Sequence, residues 1–324
     1  AIHAGAAPDP VTGARTTPIY QTASYVFEDV DQAASLFNLQ TFGNIYSRLT
    51  NPTVAVLEER VATLEGGSAA LAVASGHAAQ LVTMFSLLGP GDSFVASNKL
   101  YGGSVTQFGV SFKKMDWNCH FVDPSDPQNF ADALTPTCKA IFIESLSNPG
   151  GVVTDIAAIA DIAHAAGIPL IVDNTCATPW GCRPLDWGAD IVLHSATKFL
   201  GGHGNSLGGI IVEGGDFDWA QNDKFPSIAQ PCEAYHGLNF YETFGNSHPG
   251  TFERDLTRSK FADRRTVSRQ WYRAWPPPKK LKWSLRNNTN YMQTGVLSSL
   301  QLTARHKEEL LFNFWKKHHN ALEK

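Results

Sequence analysis

The sequence predicts an α/β fold: a mostly parallel sheet with helices on both faces. Three observations carry that expectation. Short, nearly continuous apolar runs recur at Leu71–Ala74, Ser93–Ala96, Ala140–Ile143, Ile168–Val172, Asp190–Leu193 and Gly209–Val212, as strands buried on both faces do. Helical patterns closed by glycine lie between several of them. Polar or glycine-rich turns follow the ends of the runs, and open α/β sheets bind ligands beyond the carboxyl ends of their strands.

Taken in order, residues 1–48 read as an extended arm, punctuated by Pro8, Pro10, Gly13 and Pro18, with Tyr20–Phe27 as a short extended segment. Arms of this kind often wrap a partner subunit. Gly43-Asn44-Ile45-Tyr46-Ser47-Arg48 places a phenol and a guanidinium two residues apart, on one face if the segment is extended, and a phosphate suits such a pair. An ordinary surface suits it as well. Asn51-Pro52 opens a helix whose apolar stripe is Val54, Leu57, Val61 and Leu64, ended by Gly66-Gly67.

After the first strand, Ser75-Gly76-His77 starts a new helix running to about Leu88. The free N–H groups and positive dipole end of such a start seat a phosphate. At that position the backbone N–H of His77 is a better contributor than its ring acting as a base. Lys99-Leu100-Tyr101-Gly102-Gly103 puts an aromatic ring beside glycines just past the next strand, where it can stack on a heteroaromatic ring or simply pack its loop. The strand Ala140–Ile143 ends in Glu144-Ser145-Leu146-Ser147-Asn148. Thr154 caps a helix carrying Ile156, Ile159, Ala163 and Ala166, closed by Gly167. Asp173 ends the strand Ile168–Val172, and Ser195-Ala196-Thr197-Lys198-Phe199-Leu200-Gly201-Gly202-His203-Gly204 follows Asp190–Leu193.

Composition narrows the classes. The chain has 324 residues, 43% hydrophobic and 17% charged, enough apolar content for a substantial core. No run of about 18 apolar residues exists, so no membrane-spanning helix is expected. The first residues lack the basic-then-apolar pattern of a secretory signal. Five cysteines in no C-x-x-C pair favour free thiols in a reducing compartment, and with them a cytoplasmic location, over a disulfide framework or a metal site. Net charge is −4, but residues 247–324 hold 16 Lys+Arg against 6 Asp+Glu, and the preceding stretch holds 10 against 24. That shift marks a boundary after 246. The chain thus divides into the arm 1–48, an α/β domain 49–246 and a basic tail 247–324.

The candidates at the strand ends share one chemistry. A lysine beside two hydroxyls suits a Schiff base with a phosphorylated aldehyde cofactor. A carboxylate such as Asp173 keeps a pyridine nitrogen protonated, Tyr101 can cover the ring, and Gly76, His77, Ser195 and Thr197 can hold a phosphate. Together these are the requirements of pyridoxal 5′-phosphate (PLP).

The sequence also resembles the Cys/Met-metabolism PLP-dependent enzymes of aspartate-aminotransferase fold (fold type I), and within them the O-acetylhomoserine sulfhydrylase branch. The resemblance runs from about Ile2 to Gly245. It rests on Phe42-Gly43-Asn44-Ile45-Tyr46-Ser47-Arg48, Lys99-Leu100-Tyr101-Gly102-Gly103-Ser104, Ser147-Asn148-Pro149-Gly150-Gly151, Val172-Asp173-Asn174-Thr175 and the Ser195–Ser206 segment. It implies that Lys198 holds the cofactor aldehyde and later shuttles protons, that Asp173 pairs with the ring nitrogen, and that Tyr101 stacks on the ring. It also implies that Gly76, His77, Ser195 and Thr197 take the phosphate, with Tyr46 and Arg48 reaching the phosphate of a neighbouring subunit in a homodimer or homotetramer. Glu144 and Asn148 fall beside cofactor or substrate.

The implied reaction is γ-replacement on O-acetyl-L-homoserine by sulfide or a small thiol, giving homocysteine or methionine and acetate. Cystathionine γ-synthase or γ-lyase activity is the alternative within the family. The resemblance stops near Asn246. The tail, with Arg264-Arg265, Trp275-Pro276-Pro277-Pro278-Lys279-Lys280 and a helix-like stretch from about Thr303 to Leu322, shows no match to the family's C-terminal domain and its carboxylate-binding arginine. A divergent extension, a shortened covering domain and a basic aromatic surface all remain open for it. It carries no recognised nucleic-acid motif, so neither nucleic acid nor membrane is expected as a partner. A PLP-binding chain with impaired or no turnover is the reading that follows if the substrate clamp is missing.

Overall fold

The computed structural model describes residues 2–37, 43–219 and 222–233, together with the backbone of short strands at Leu238–Asn239, Thr251–Asp255, Lys260–Phe261, Arg264–Arg265 and Lys280–Ser284. Phe42 and the helix expected from about Thr303 to Leu322 lie outside the described residues. Among the described residues, no helix is long and apolar enough to cross a membrane.

Seven strands form the central sheet: β1 (Ala69–Val73), β2 (Ser93–Ser97), β3 (Asn118–Val122), β4 (Cys138–Glu144), β5 (Leu170–Asp173), β6 (Ile191–Ser195) and β7 (Gly209–Glu213). Their spatial order is β1-β7-β6-β5-β4-β2-β3. β7 runs antiparallel to both β1 and β6, and the other pairings are parallel. The expected mostly parallel α/β sheet is what forms. The sequence reading missed only β3, an edge strand whose Asn118 and His120 stay exposed.

Alternation along each strand builds two cores. On β4, Ile141 and Ile143 join Val172 of β5, Val192 of β6, and Ile156, Ile159 and Ala163 on one face. Ala140 and Phe142 join Ile171, Leu193, Met84, Phe94, Phe108 and Phe112 on the other. The helices include α1 (Val30–Phe37), α2 (Pro52–Glu65), α3 (Gly76–Leu87), α4 (Gly102–Thr106), α5 (Gln128–Asp132) and α6 (Ile156–Ala165), with two four-residue helices at Thr178–Gly181 and Pro226–Ala229. They include the layers on both faces: α2 and α6 contribute to the first core, α3 to the second.

Local expectations meet the structure unevenly. Asn51 caps α2 as expected, accepting from the N–H groups of Thr53 and Val54, and Gly66 ends it at φ +81°. Ser75 caps α3 through Ala78 N–H. The cap of α6 is Asp155, not Thr154: Asp155 accepts from Ala158 N–H, while the Thr154 hydroxyl donates to the Glu144 carbonyl. The arm is not wholly extended, because Asp29 accepts the N–H of Gln32 and starts α1. The stripe read on α2 is also corrected. Val54 and Leu57 are 40% and 45% exposed, and the buried face is Glu58, Val61, Ala62 and Glu65. Glu58 lies inward because its carboxylate accepts the N–H of Ala72 on β1 at 2.9 Å.

Candidate cofactor-binding site

Four strand ends and the start of α3 place the candidates after residue 70. β6 ends in Ser195, and the chain then turns tightly. Lys198 N–H donates to the Ser195 carbonyl at 3.1 Å, and Gly201 and Gly202 N–H groups donate back to Ala196 and Lys198. This turn holds Lys198 at the surface, and among the described residues its amine has neither an ion pair nor a hydrogen-bond partner.

The start of α3 lies directly against Ser195. A Cβ on Gly76 would come within 2.8 Å of Ser195 Cβ and 3.1 Å of its Cα. The N–H groups of Gly76 and His77 precede the first intrahelical bonds and have no partner among the described residues. They are therefore open donors at the positive end of a twelve-residue helix, beside a serine hydroxyl. That is a seat for a phosphate dianion. The hydroxyl of Thr197 is partly committed, since it donates to the Gly208 carbonyl and accepts from Gly208 N–H at 3.1 Å. It braces the turn against the entry to β7.

Asp173 ends β5. Its Oδ1 accepts from the N–H and the hydroxyl of Thr175, and the same hydroxyl accepts Ser195 N–H at 2.8 Å. One threonine thus ties the carboxylate to the phosphate seat. Asp173 Oδ2 has no hydrogen-bond partner among the described residues and is available to a protonated ring nitrogen. The role of Thr175 was missed in the sequence, although it sits in the Asp173-Asn174-Thr175 segment.

Tyr101 follows β2 and stands at the start of α4. Its ring lies 6.0 Å from the His77 ring, tilted by 38°. Gly103 permits this approach: a Cβ there would fall 2.5 Å from Tyr101 Cε1 and 2.8 Å from His77 Cε1. The ring is half exposed. Glu144, at the end of β4, accepts Tyr101 N–H at 2.7 Å and Asn148 N–H at 3.0 Å. Burial, reinforced by nearby Asp173, pushes its carboxyl up to about 7 against the pull of those two bonds. The side chain of Asn148 is exposed on the same loop. Burial, with Glu144 and Asp173 close by, raises the Cys176 thiol, which disfavours a thiolate nucleophile here.

Tyr46 and Arg48 stand apart. Tyr46 pairs with Ser24 in an isolated antiparallel bridge, and the chain turns directly after it, so Arg48 does not continue an extended strand: the N–H groups of Leu49 and Thr50 both bond the Tyr46 carbonyl. The turn still brings the pair together, with the guanidinium 5.5 Å from the centre of the Tyr46 ring. No hydrogen bond or ring contact among the described residues joins them to the cluster around Ser195. Among the described residues no group of three or more His, Cys, Asp or Glu side chains could hold a metal ion.

The residues present fit PLP. A glycine cradle faces Ser195, two unpaired N–H groups adjoin it, and a half-free carboxylate and an unpaired lysine amine lie at neighbouring strand ends. Comparison with known proteins agrees. The profile of the Cys/Met metabolism PLP-dependent enzymes matches residues 1–246. The chain is 51% identical over 249 residues to an O-acetyl-L-homoserine sulfhydrylase of Leptospira meyeri, covering 77% of this chain and 56% of that one. It is 47% identical over 247 residues to a homocysteine synthase of Schizosaccharomyces pombe, covering 76% and 58%. The chain therefore spans little more than half the length of these relatives. Among solved structures, a Campylobacter jejuni protein assigned as an O-acetylhomoserine (thiol)-lyase, crystallised with a pyridoxyl-lysine monophosphate, superposes with a TM-score of 0.71 at 40% identity, over 73% of this chain and 59% of that one. A cystathionine γ-lyase of Lactobacillus plantarum gives 0.60 at 41% identity, over 65% and 53%. The chain belongs to the Cys/Met-metabolism PLP-dependent enzyme family.

Proposed function

We propose that this chain serves PLP-dependent γ-replacement on O-acetyl-L-homoserine, with sulfide or a small thiol as nucleophile, giving homocysteine or methionine and acetate. The observation that carries this reading is the Gly76–Ser195 cradle between the start of α3 and the Lys198 turn, with Asp173 tied to the same serine through Thr175. The sulfhydrylase and homocysteine synthase relatives at about half identity support the choice of substrate.

When bound, PLP supplies an electron sink for carbanion chemistry next to the substrate nitrogen. In this reading Lys198 Nζ holds the cofactor aldehyde carbon and later moves the proton from the substrate Cα. Asp173 Oδ2 holds a proton on the ring nitrogen. The N–H groups of Gly76 and His77, with the hydroxyls of Ser195 and Thr197, bind the phosphate. Tyr101 orients the ring from one face, with Asn148 beside it. Tyr46 and Arg48 serve the phosphate of a neighbouring subunit, which makes a homodimer the smallest complete unit. The exposed Val54 and Leu57 on α2 support such association. Residues 49–246 form the PLP-binding domain in this account, 1–48 its arm, and 247–324 a separate basic segment.

The full chain is tested by incubation with PLP, O-acetylhomoserine and sulfide. Homocysteine and acetate in equal amounts are the expected result. Bound PLP with no product selects a cofactor-binding chain without turnover, and cystathionine formed from added cysteine selects the neighbouring branch of the family. A chain that binds no PLP overturns the reading.

A further inference from the structure

The face of the sheet opposite the candidate site carries a buried polar cluster that the mechanism does not use. Glu65, in the last turn of α2, reaches under the ends of β5 and β6. Its Oε1 accepts from His194 Nε2 at 2.5 Å and from Asn174 Nδ2 at 2.9 Å. Asn174 Nδ2 also donates to the Cys182 carbonyl at 2.9 Å, and Asn174 Oδ1 accepts the Ser145 hydroxyl at 2.7 Å. Glu65, Asn174 and His194 are all fully buried. The chain of bonds therefore joins α2 to the carboxyl ends of three adjacent strands.

Its placement relative to the site follows from strand alternation. Asp173 and Ser195 face the side of α3. Asn174 and His194, each one residue away, face the side of α2. Neighbouring backbone bonds complete the frame: Ser145 N–H donates to the Asp173 carbonyl at 3.1 Å, and Asn174 N–H to the Leu193 carbonyl at 2.9 Å.

Stability alone gives a weak account of this cluster. The core on that face is built mainly from aliphatic side chains, and replacing buried polar partners by apolar groups of similar shape is often neutral or stabilising. Among the described residues Glu65 Oε2 and His194 Nδ1 are buried without a partner, a further cost in a low-dielectric interior. Directional bonds do supply fixed register. We infer that Glu65 and His194 are positioning residues, which through Asn174 and Ser145 lock the ends of β4, β5 and β6 so that Asp173 and Ser195 meet one cofactor at their required separation. This inference rests on the PLP reading above.

The test uses the full chain without cofactor, titrated with PLP and followed by its visible absorbance band and by tyrosine and tryptophan fluorescence, beside urea unfolding of the same samples. Glu65→Leu keeps the shape and removes the acceptor. Its Kd for PLP is expected to rise roughly tenfold, the scale of one or two lost hydrogen bonds, with a shifted band. Glu65→Gln keeps an acceptor oxygen for both donors and is expected to bind within about threefold of the parent chain. Should Glu65→Leu fail to fold, Ser145→Ala carries the test: it removes the outer bond to Asn174 and the same hydroxyl's longer 3.5 Å contact with the Asp173 carbonyl, with a rise of roughly threefold expected. A folded Glu65→Leu, or in its place Ser145→Ala, with the parent's Kd and band overturns the positioning role, whatever its urea midpoint. Failure of the parent chain itself to bind PLP overturns the cofactor reading and this inference with it.

Discussion

The carboxylate of Glu144 accepts the backbone N–H of Tyr101 at 2.7 Å, so the residue that ends β4 anchors the residue whose ring is proposed to cover the cofactor. Its second oxygen takes Asn148 N–H. Glutamine at position 144 offers only one acceptor oxygen, and one of the two N–H groups must then face an amide NH2. Glu144→Gln is expected to weaken PLP binding roughly fivefold, the equivalent of one hydrogen bond. In a Tyr101→Ala background the same change is expected to add little, because its effect passes through Tyr101. Equal effects of Glu144→Gln in both backgrounds, measured by PLP titration, contradict this route.

Two buried carboxyls make stability depend on pH in an unusual sense. Burial pushes Glu144 up to about 7, and does the same to Glu213, against the bond from Trp219 Nε1. Each binds its proton more tightly in the folded chain than in the unfolded one. Their contribution is therefore complete below about pH 4.5, the ordinary glutamate value, and is lost as pH rises through about 7. The loss from Glu213 is at most roughly 3 kcal/mol. Glu213→Gln is neutral throughout. Its urea midpoint is expected to fall less than the parent's between about pH 5 and pH 8, and parallel profiles would exclude the effect.

Two glycines are expected to separate folding from binding. A methyl at Gly103 meets the movable rings of Tyr101 and His77 at under 3 Å. Gly103→Ala is therefore expected to keep the folded stability within about 1 kcal/mol while displacing Tyr101 and weakening PLP binding. A methyl at Gly76 meets Ser195 Cα, which is backbone. Gly76→Ala should lower the urea midpoint as well as PLP affinity. Unchanged PLP binding in Gly103→Ala would contradict the place given to the Tyr101 ring.

Thr175→Val removes the hydroxyl that joins Asp173 to Ser195 N–H. A loss of roughly 1–2 kcal/mol in stability is expected, together with a roughly tenfold weaker PLP complex, and Thr175→Ser is expected to restore most of both. Valine binding PLP as threonine does would show that the link is not used.

Much of the architecture was legible because each buried strand is a short apolar run ending in a polar turn, and the turn residues Ser75, Tyr101, Glu144, Asp173 and Ser195 fall at those ends. Edge and arm were harder to read. β3 has one exposed side and no continuous apolar run, and α1 depends on the cap from Asp29 within a segment rich in turn formers. The inward face of α2 was illegible for a deeper reason. Glu58 and Glu65 are buried by partners on strands that follow later in the sequence, His194 being 129 residues beyond Glu65. Helical periodicity found Val61, which is buried, but also assigned the core to Val54 and Leu57, which face outward. Thr175 was invisible in the same way, since its hydroxyl acts by joining two strand ends that are adjacent only in the sheet.

Lys198 is proposed as the lysine that holds PLP. Borohydride reduction of the PLP-loaded full chain, followed by digestion and mass spectrometry, tests it most directly. One reduced pyridoxyl phosphate on the peptide carrying Lys198, absent in Lys198→Ala together with the visible band, is the expected result. A modification on another lysine, or a visible band that survives Lys198→Ala, would contradict the account.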